Sequence, residues 1–71
     1  MDLIKEIKLY DADSLEYSGS MIVNGRDWKY EGVKDEHLIQ VTTGMPLKAV
    51  LSCLISFNFV YDEIEAGQNN Q

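Results

Sequence analysis

Residues that form disulfides and metal sites are scarce in this sequence, because its 71 residues include one cysteine and one histidine. It also has a single proline. A single cysteine, Cys53, excludes an intramolecular disulfide framework and makes a reducing cytoplasm the expected location. Cys53 and His37 together cannot supply the three or four ligands of a zinc site. We therefore expect no bound metal.

A catalytic or nucleotide-binding motif is also missing. The five glycines are too scattered to form a phosphate-binding loop. Cys53 falls among apolar residues, where a thiol usually packs as an inert small hydrophobe. A Cys–His nucleophile pair would need a third orienting group and a pocket, which so short a chain does not form comfortably. We predict a protein that is not an enzyme and carries no cofactor.

Basic residues are scarce, since six lysines and arginines stand against twelve acids for a net charge of −6. Proteins that bind nucleic acids directly carry the opposite sign, because much of their affinity comes from neutralising phosphates. The same sign opposes binding to an anionic membrane surface. We therefore expect no direct nucleic acid and no membrane, but a protein partner with a basic surface. The alternative is that the acidity only keeps the protein soluble.

Long apolar runs are lacking as well. The run 47–60 contains Lys48 and is shorter than the roughly 20 residues that span a bilayer. Residues 1–10 alternate charged and apolar side chains, unlike the apolar core of a signal peptide. An apolar content of 45% is typical of a globular domain. We expect a soluble, cytoplasmic single domain at 1–66 and a disordered tail at 67–71, which has nothing apolar to anchor it.

Two segments, 2–10 and 37–42, alternate polar and apolar side chains and are predicted to be strands. Their inward positions are Leu3, Ile7 and Leu9 in the first and Ile39 and Val41 in the second. Between them, Asn24-Gly25 is the preferred pair for a two-residue type I′ turn. It predicts a β-hairpin of 15–23 with 26–33.

The predicted turn fixes the register of that hairpin. It pairs Val23 with Arg26, Met21 with Trp28, and Gly19 with Tyr30. The two aromatic rings then share a face with Met21 and Tyr17. The Tyr30 ring is expected to lie over the bare backbone of Gly19.

A helix is predicted at 45–57, with Pro46 in its first turn and Thr43 or Gly44 as its N-cap. The end of this helix is open to two interpretations. A heptad spacing of apolar residues allows one long helix as far as Glu65. Asn58, however, is a natural left-handed cap, and the residues after it favour a closing strand at 59–65. We favour the strand.

The predicted fold is α+β, a small antiparallel sheet packed on one helix, with a C-terminal strand. The expected core is Trp28, Met21, Ile39, Val50, Leu54 and Phe57. The other side of the helix carries a patch of small side chains, Ala49, Ser52, Cys53 and Ser56. Small residues let a second helix approach closely, so this patch is a candidate homodimer face. Contact with a different partner and simple exposure to water are the alternatives.

The remaining candidate site is acidic. Seven carboxylates fall at or near the ends of predicted elements, namely Asp11, Asp13, Asp35, Glu36, Asp62, Glu63 and Glu65. On so small a body they can share one electrostatic field and imitate the phosphates of a nucleic acid. The ordinary alternative is that they are scattered over a solvated surface.

The chain resembles small phage-encoded inhibitors of the anti-CRISPR and anti-restriction type. The shared features are its size, its acidity, its predicted meander of strands with one helix, and its lack of a catalytic constellation. The resemblance implies a non-catalytic inhibitor that binds a nucleic-acid-handling defence enzyme in the host cytoplasm. Two other functions fit the same composition. One is an antitoxin or immunity-type protein that neutralises one basic partner, and the other is a homodimeric accessory or structural protein.

Overall fold

Four strands and two helices make up residues 4–66, the part of the chain that this computed structural model describes, with side chains at 5–64. In chain order they are β1 (Ile4–Asp11), β2 (Tyr17–Asn24), β3 (Asp27–Glu31), α1 (Glu36–Thr42), α2 (Leu47–Ser56) and β4 (Phe59–Ala66). The strands form one antiparallel sheet in the order β3-β2-β1-β4. The predicted α+β class is confirmed, with two helices in this region. The predicted tail at 67–71 and the predicted inward residue Leu3 lie outside the described residues.

One face of the sheet is buried beneath both helices. Ile7 and Leu9 of β1 stand opposite Met21 and Gly19 of β2, so the period-2 alternation predicted for the first strand is confirmed. The buried apolar side chains are Ile7, Leu9, Met21, Val23, Leu38, Val50 and Leu54. Of the predicted core, Trp28 and Phe57 are half-buried against this cluster, whereas Ile39 is not part of it.

The β2–β3 turn differs from the predicted one. Its two loop residues are Gly25 and Arg26, and Asn24 ends β2. Gly25 has a φ of 65° whereas Arg26 does not have a positive φ, which fits a type II′ turn with glycine at its first position. Val23 therefore pairs with Trp28 and Met21 with Tyr30. Because the register shifts by an even number of positions, both aromatic rings still face the core.

A β-bulge at the start of β2 overturns one further detail, the predicted position of Tyr17. Leu9 pairs with Gly19 but Tyr10 pairs with Tyr17, so Ser18 is the extra residue. The bulge turns Tyr17 to the outer face of the sheet, away from the helices. There its ring lies edge-on to Tyr10 at 6.1 Å and its hydroxyl lies 2.6 Å from Ser20 Oγ.

Gly19 itself faces the chain that follows β3, not Tyr30 as predicted. A Cβ at this position would lie 2.7 Å from Val33 Cγ2 and 2.9 Å from Val33 N. The backbone also has a φ of 115°, which side chains other than hydrogen rarely allow. Close approach and conformation together require glycine here.

The predicted strand at 37–42 is wrong, because these residues form helix α1. Asp35 is the N-cap, and its Oδ1 accepts a hydrogen bond from Leu38 N at 3.1 Å. Leu38 and Thr42, four residues apart, are the buried positions, whereas Val41 is exposed. The alternation of Ile39 and Val41 was misleading because the capping carboxylate and the i, i+4 burial favour the helix.

The predicted helix at 45–57 is confirmed as α2, although its N-cap is Pro46 rather than Thr43 or Gly44. Val50 and Leu54 are its fully buried residues. Asn58 has a φ of 68° and ends the helix in the left-handed conformation. β4 follows, so the predicted closing strand is confirmed and the single long helix is excluded.

Two aromatic side chains tie the sheet to α1 and to the connection between the two helices. Trp28 Nε1 donates to Met45 O at 2.9 Å, and the Tyr30 hydroxyl lies 2.7 Å from Thr42 Oγ1. Thr42 in turn donates to Leu38 O. Because Thr42 Oγ1 gives its one proton to Leu38 O, the Tyr30 hydroxyl is the donor to Thr42, and burial raises the pKa of Tyr30. These bonds satisfy the polar ends of rings whose apolar parts cover the core.

We predict that Leu54→Ala lowers the free energy of unfolding by about 2–5 kcal/mol, because it leaves a cavity between α2 and the sheet. Ile55→Ala is the matched control on the same helix, since Ile55 is 72% exposed. We expect the control to change stability by less than about 0.5 kcal/mol in urea unfolding. Equal effects of the two substitutions would place α2 outside the core.

We also predict that Gly19→Ala is more destabilising than Gly44→Ala. Both glycines have a positive φ, at 115° and 85°, so both substitutions carry backbone strain of about 1–3 kcal/mol. A Cβ at Gly44 meets nothing within 4 Å, whereas one at Gly19 collides with Val33. Thermal unfolding of both variants compares them, and an equal loss would mean that Val33 moves aside freely.

Candidate functional site

Carboxylates from separate segments of the chain meet at one end of the molecule, where β1 ends and α1 begins. We define the acidic end as Asp11, Asp13, Glu16, Asp35 and Glu36. Asp11 and Asp35, which are far apart in sequence, line the same cleft of about 450 Å³. The residues around this cleft are Asp11, Tyr17, Ser18, Gly19, Gly32, Val33, Lys34, Asp35 and Phe59. The structure therefore brings two of the seven predicted carboxylates, Asp11 and Asp35, to one cleft, and two more, Asp13 and Glu36, lie within two residues of them in the chain.

Asp11 is held by the turn that follows it. Its Oδ1 accepts hydrogen bonds from the backbone N–H groups of Asp13 at 2.8 Å and Ser14 at 3.0 Å. The Ser14 and Asp13 bonds lower the pKa of this carboxyl below its ordinary value, because both favour the charged form. Asp11 therefore stays ionised at neutral pH and throughout mildly acidic conditions.

Asp13 connects the β1–β2 loop to the segment between α2 and β4. Asn58 Nδ2 donates to Asp13 Oδ2 at 2.9 Å, and the backbone N–H of Ala12 donates to Asn58 O at 2.9 Å. This pair of bonds fixes the loop against the rest of the fold. The Asp13 carboxylate thus has a defined position although it is exposed.

Asp35 has a structural as well as an electrostatic role, because its carboxylate caps α1. Glu36 follows it in the first turn of the helix and is exposed. Negative charge is favourable there because the helix dipole is positive at its N-terminus. Lys34 lies beside them and is the basic side chain that lines the cleft.

The acids of β4 do not join this end. Successive residues of a strand point to opposite faces, so Asp62 and Glu63 separate. Asp62 stands opposite Lys8 on the outer face. Glu63 stands on the helix side, opposite Ile7, and forms a 3.2 Å salt bridge with Lys5. The side chain of Glu65 lies outside the described residues.

Two features of the acidic end were missed from the sequence. Glu16 is exposed in the β1–β2 loop and adds a fifth carboxylate. Leu15, beside it, is 66% exposed and has a φ of 62°, which is unusual for a residue with a branched side chain. The cluster of turn-forming residues at 11–14 predicted the loop, but only the bulge and the turn geometry show which side chains it exposes.

The predicted dimer face is not uniform. Ser52 and Ser56 are exposed, whereas Ala49 and Cys53 are half-buried. Cys53 Sγ lies 3.9 Å from Met45 Sδ, on the flank of α2 that faces the α1–α2 connection. A homodimer through these four residues stays a prediction.

Within residues 4–66, no three His, Cys, Asp or Glu side chains come close enough to hold a metal ion. His37 is exposed, with its ring edge-on to Phe57 at 5.3 Å. None of the helices in this region is long and apolar enough to cross a membrane.

No protein-family model, curated protein or solved structure matches this chain. The arrangement of its own side chains is therefore what supports a function.

We predict that the charge of Asp35 can be removed without unfolding α1. Asparagine caps helices about as well as aspartate. The free energy of unfolding of Asp35→Asn is therefore expected to lie within a few tenths of a kcal/mol of the wild-type value. Asp35→Ala removes the acceptor for Leu38 N and is expected to lose about 0.5–2 kcal/mol. Urea unfolding measures both. Equal losses would mean that the charge, not the cap, stabilises this helix.

Proposed function

We propose that this protein is a non-catalytic inhibitor that binds, through its acidic end, to the basic nucleic-acid-binding surface of a partner protein. The partner class that fits the resemblance is a host defence enzyme acting on nucleic acid, with the inhibitor encoded by a phage. The observation that supports the proposal is the convergence of Asp11 and Asp35 on one cleft, flanked by Asp13, Glu16 and Glu36.

The charges are also unevenly distributed over the fold. Four of the six basic residues lie toward the opposite end, near the β2–β3 turn and the start of α2: Lys5, Arg26, Lys29 and Lys48. Such segregation gives the molecule one acidic and one more neutral end. It orients the acidic end toward a basic surface during diffusional encounter, which raises association rates by about 10–1000-fold in steered complexes.

Three of the five carboxylates of this end are held in place by hydrogen bonds. Asp11 is fixed by two backbone N–H groups, Asp13 by Asn58, and Asp35 by the first turn of α1. A preorganised set of charges loses less conformational entropy on binding than flexible side chains do. This rigidity favours a role as a mimic of regularly spaced phosphates over a purely solubilising one.

The test captures proteins from a bacterial lysate on immobilised wild-type protein and on Asp11→Asn/Asp35→Asn. Both asparagines keep the hydrogen bonds of the turn and the cap while removing two charges. We expect the wild type to enrich nucleic-acid-binding proteins, duplex DNA to displace them, and the variant to associate with them about tenfold more slowly. Association should also slow as salt rises, since screening acts over about 10 Å at 0.1 M.

Glu6→Gln/Asp27→Asn is the charge-matched control. Both positions lie on the outer face toward the other end of the sheet, and a glutamine at position 6 still accepts from Ser20 Oγ. We expect this control to retain wild-type capture. Equal losses in the two variants, or captured proteins that duplex DNA does not displace, would contradict binding through the acidic end.

A further inference from the structure

The last strand of the sheet, β4, has an open edge. Its eight residues pair with β1 along their whole length and without a bulge. Within residues 4–66, no strand pairs with its other side. An edge strand presents a row of backbone N–H and C=O groups on which a further strand can form.

The opposite edge of the sheet is less open. β3 has only five residues and carries the exposed Lys29 at its centre. Short edge strands and lysines are two of the features by which proteins block unwanted strand pairing. β4 has neither feature in its described part, and it contains no proline.

β4 also exposes large apolar side chains on both faces of the sheet. Val60 and Ile64 are 43% and 38% exposed on the outer face, and Tyr61 is 37% exposed on the helix side. In α2, the most exposed large apolar side chain is Ile55, at 72%. Cys53 points toward Met45, so Ile55 lies on the opposite flank of α2, and this helix contacts β4. Addition of a strand would cover part of the exposed apolar surface of β4.

Pairing of β4 with the central part of β4 in a second copy is electrostatically unfavourable. Asp62 and Glu63 occupy the centre of β4, with Glu65 near its end. Two copies of β4 can pair antiparallel about a two-fold axis. Wherever that axis lies between Tyr61 and Ile64, an acid of one copy stands opposite or diagonal to an acid of the other. Like charges at these positions destabilise strand pairs. The same carboxylates attract basic side chains.

We propose that β4 is a docking edge for an extended basic segment of a partner protein, which adds as an antiparallel fifth strand. The register of β4 specifies the segment as apolar-basic-basic-apolar. Its two basic residues face Asp62 and Glu63, and its apolar residues face Ile64 and Tyr61. The same pairing of basic with acidic residues is present between β4 and β1, where Lys8 stands opposite Asp62 and Lys5 forms a salt bridge with Glu63.

This docking edge rests on the proposed function only in that the occupant is a basic protein. It is a separate surface from the acidic end, because Asp62 lies three residues along β4 from Phe59, the partner of Asp11. The two surfaces can therefore fail independently.

The test uses synthetic peptides and NMR of the isotope-labelled full chain. The probe has a Val-Lys-Lys-Val core between threonines, and the control peptide has the same composition with a Lys-Val-Val-Lys core. We expect the probe to slow hydrogen exchange of the β4 amides that point away from β1. N-methylation of the probe on its paired side, which removes its backbone donors, should weaken binding at least tenfold. The control peptide should bind correspondingly weakly.

Two double variants separate this site from the acidic end. Asp62→Asn/Glu63→Gln should weaken probe binding at least tenfold, whereas Asp35→Asn/Glu36→Gln should leave it unchanged. The amide spectrum of each variant reports that it is folded. Three results would overturn the docking edge. The probe could shift the amide resonances of Asp11 and Asp35 instead of those of β4, or the N-methylated probe could bind as well as the unmodified one. The third is slow hydrogen exchange of the β4 amides without peptide that depends on protein concentration, which would indicate self-association.

Discussion

Burial of one face of a four-stranded sheet beneath two short helices is the constraint on which the rest of this structure depends. Helix α1 has seven residues and α2 has ten, which is too short for either to be stable alone in water. Their stability comes from packing Leu38, Val50 and Leu54 onto the sheet. The Tyr30 hydroxyl also bonds α1, and Trp28 bonds the connection between the two helices. All chemistry at the surface is positioned by this one interface.

The acidic end follows from that packing. Placing α1 on the sheet brings its N-terminus to the end where β1 stops, so a capping carboxylate and a turn carboxylate line the same cleft. Each of these two side chains also stabilises its own local structure. Aspartates that serve as caps and turn formers are therefore ordinary features of this sequence one at a time. Their convergence is what gives the molecule one strongly acidic surface.

The acids of β4 illustrate how backbone geometry overrides sequence proximity. Asp62 and Glu63 are adjacent in sequence, yet the pleat of the strand sends them to opposite faces, where lysines of β1 lie close to both. An acidic cluster in sequence is thus two separate sites in space. The proposed docking edge uses both of these acids, one on each face of β4.

The sequence by itself determined the α+β class, the alternation in β1, the hairpin, the helix around Leu54 and the end of that helix at Asn58, because these depend on local periodicity and turn chemistry. The sequence pattern predicted a strand at 37–42 that is a helix, because a two-residue alternation competed with a capping signal at Asp35. Only the tertiary structure decided the hairpin register, the bulge that turns Tyr17 outward and which carboxylates meet. Those features depend on contacts between distant segments, such as Gly19 with Val33, that no local pattern encodes.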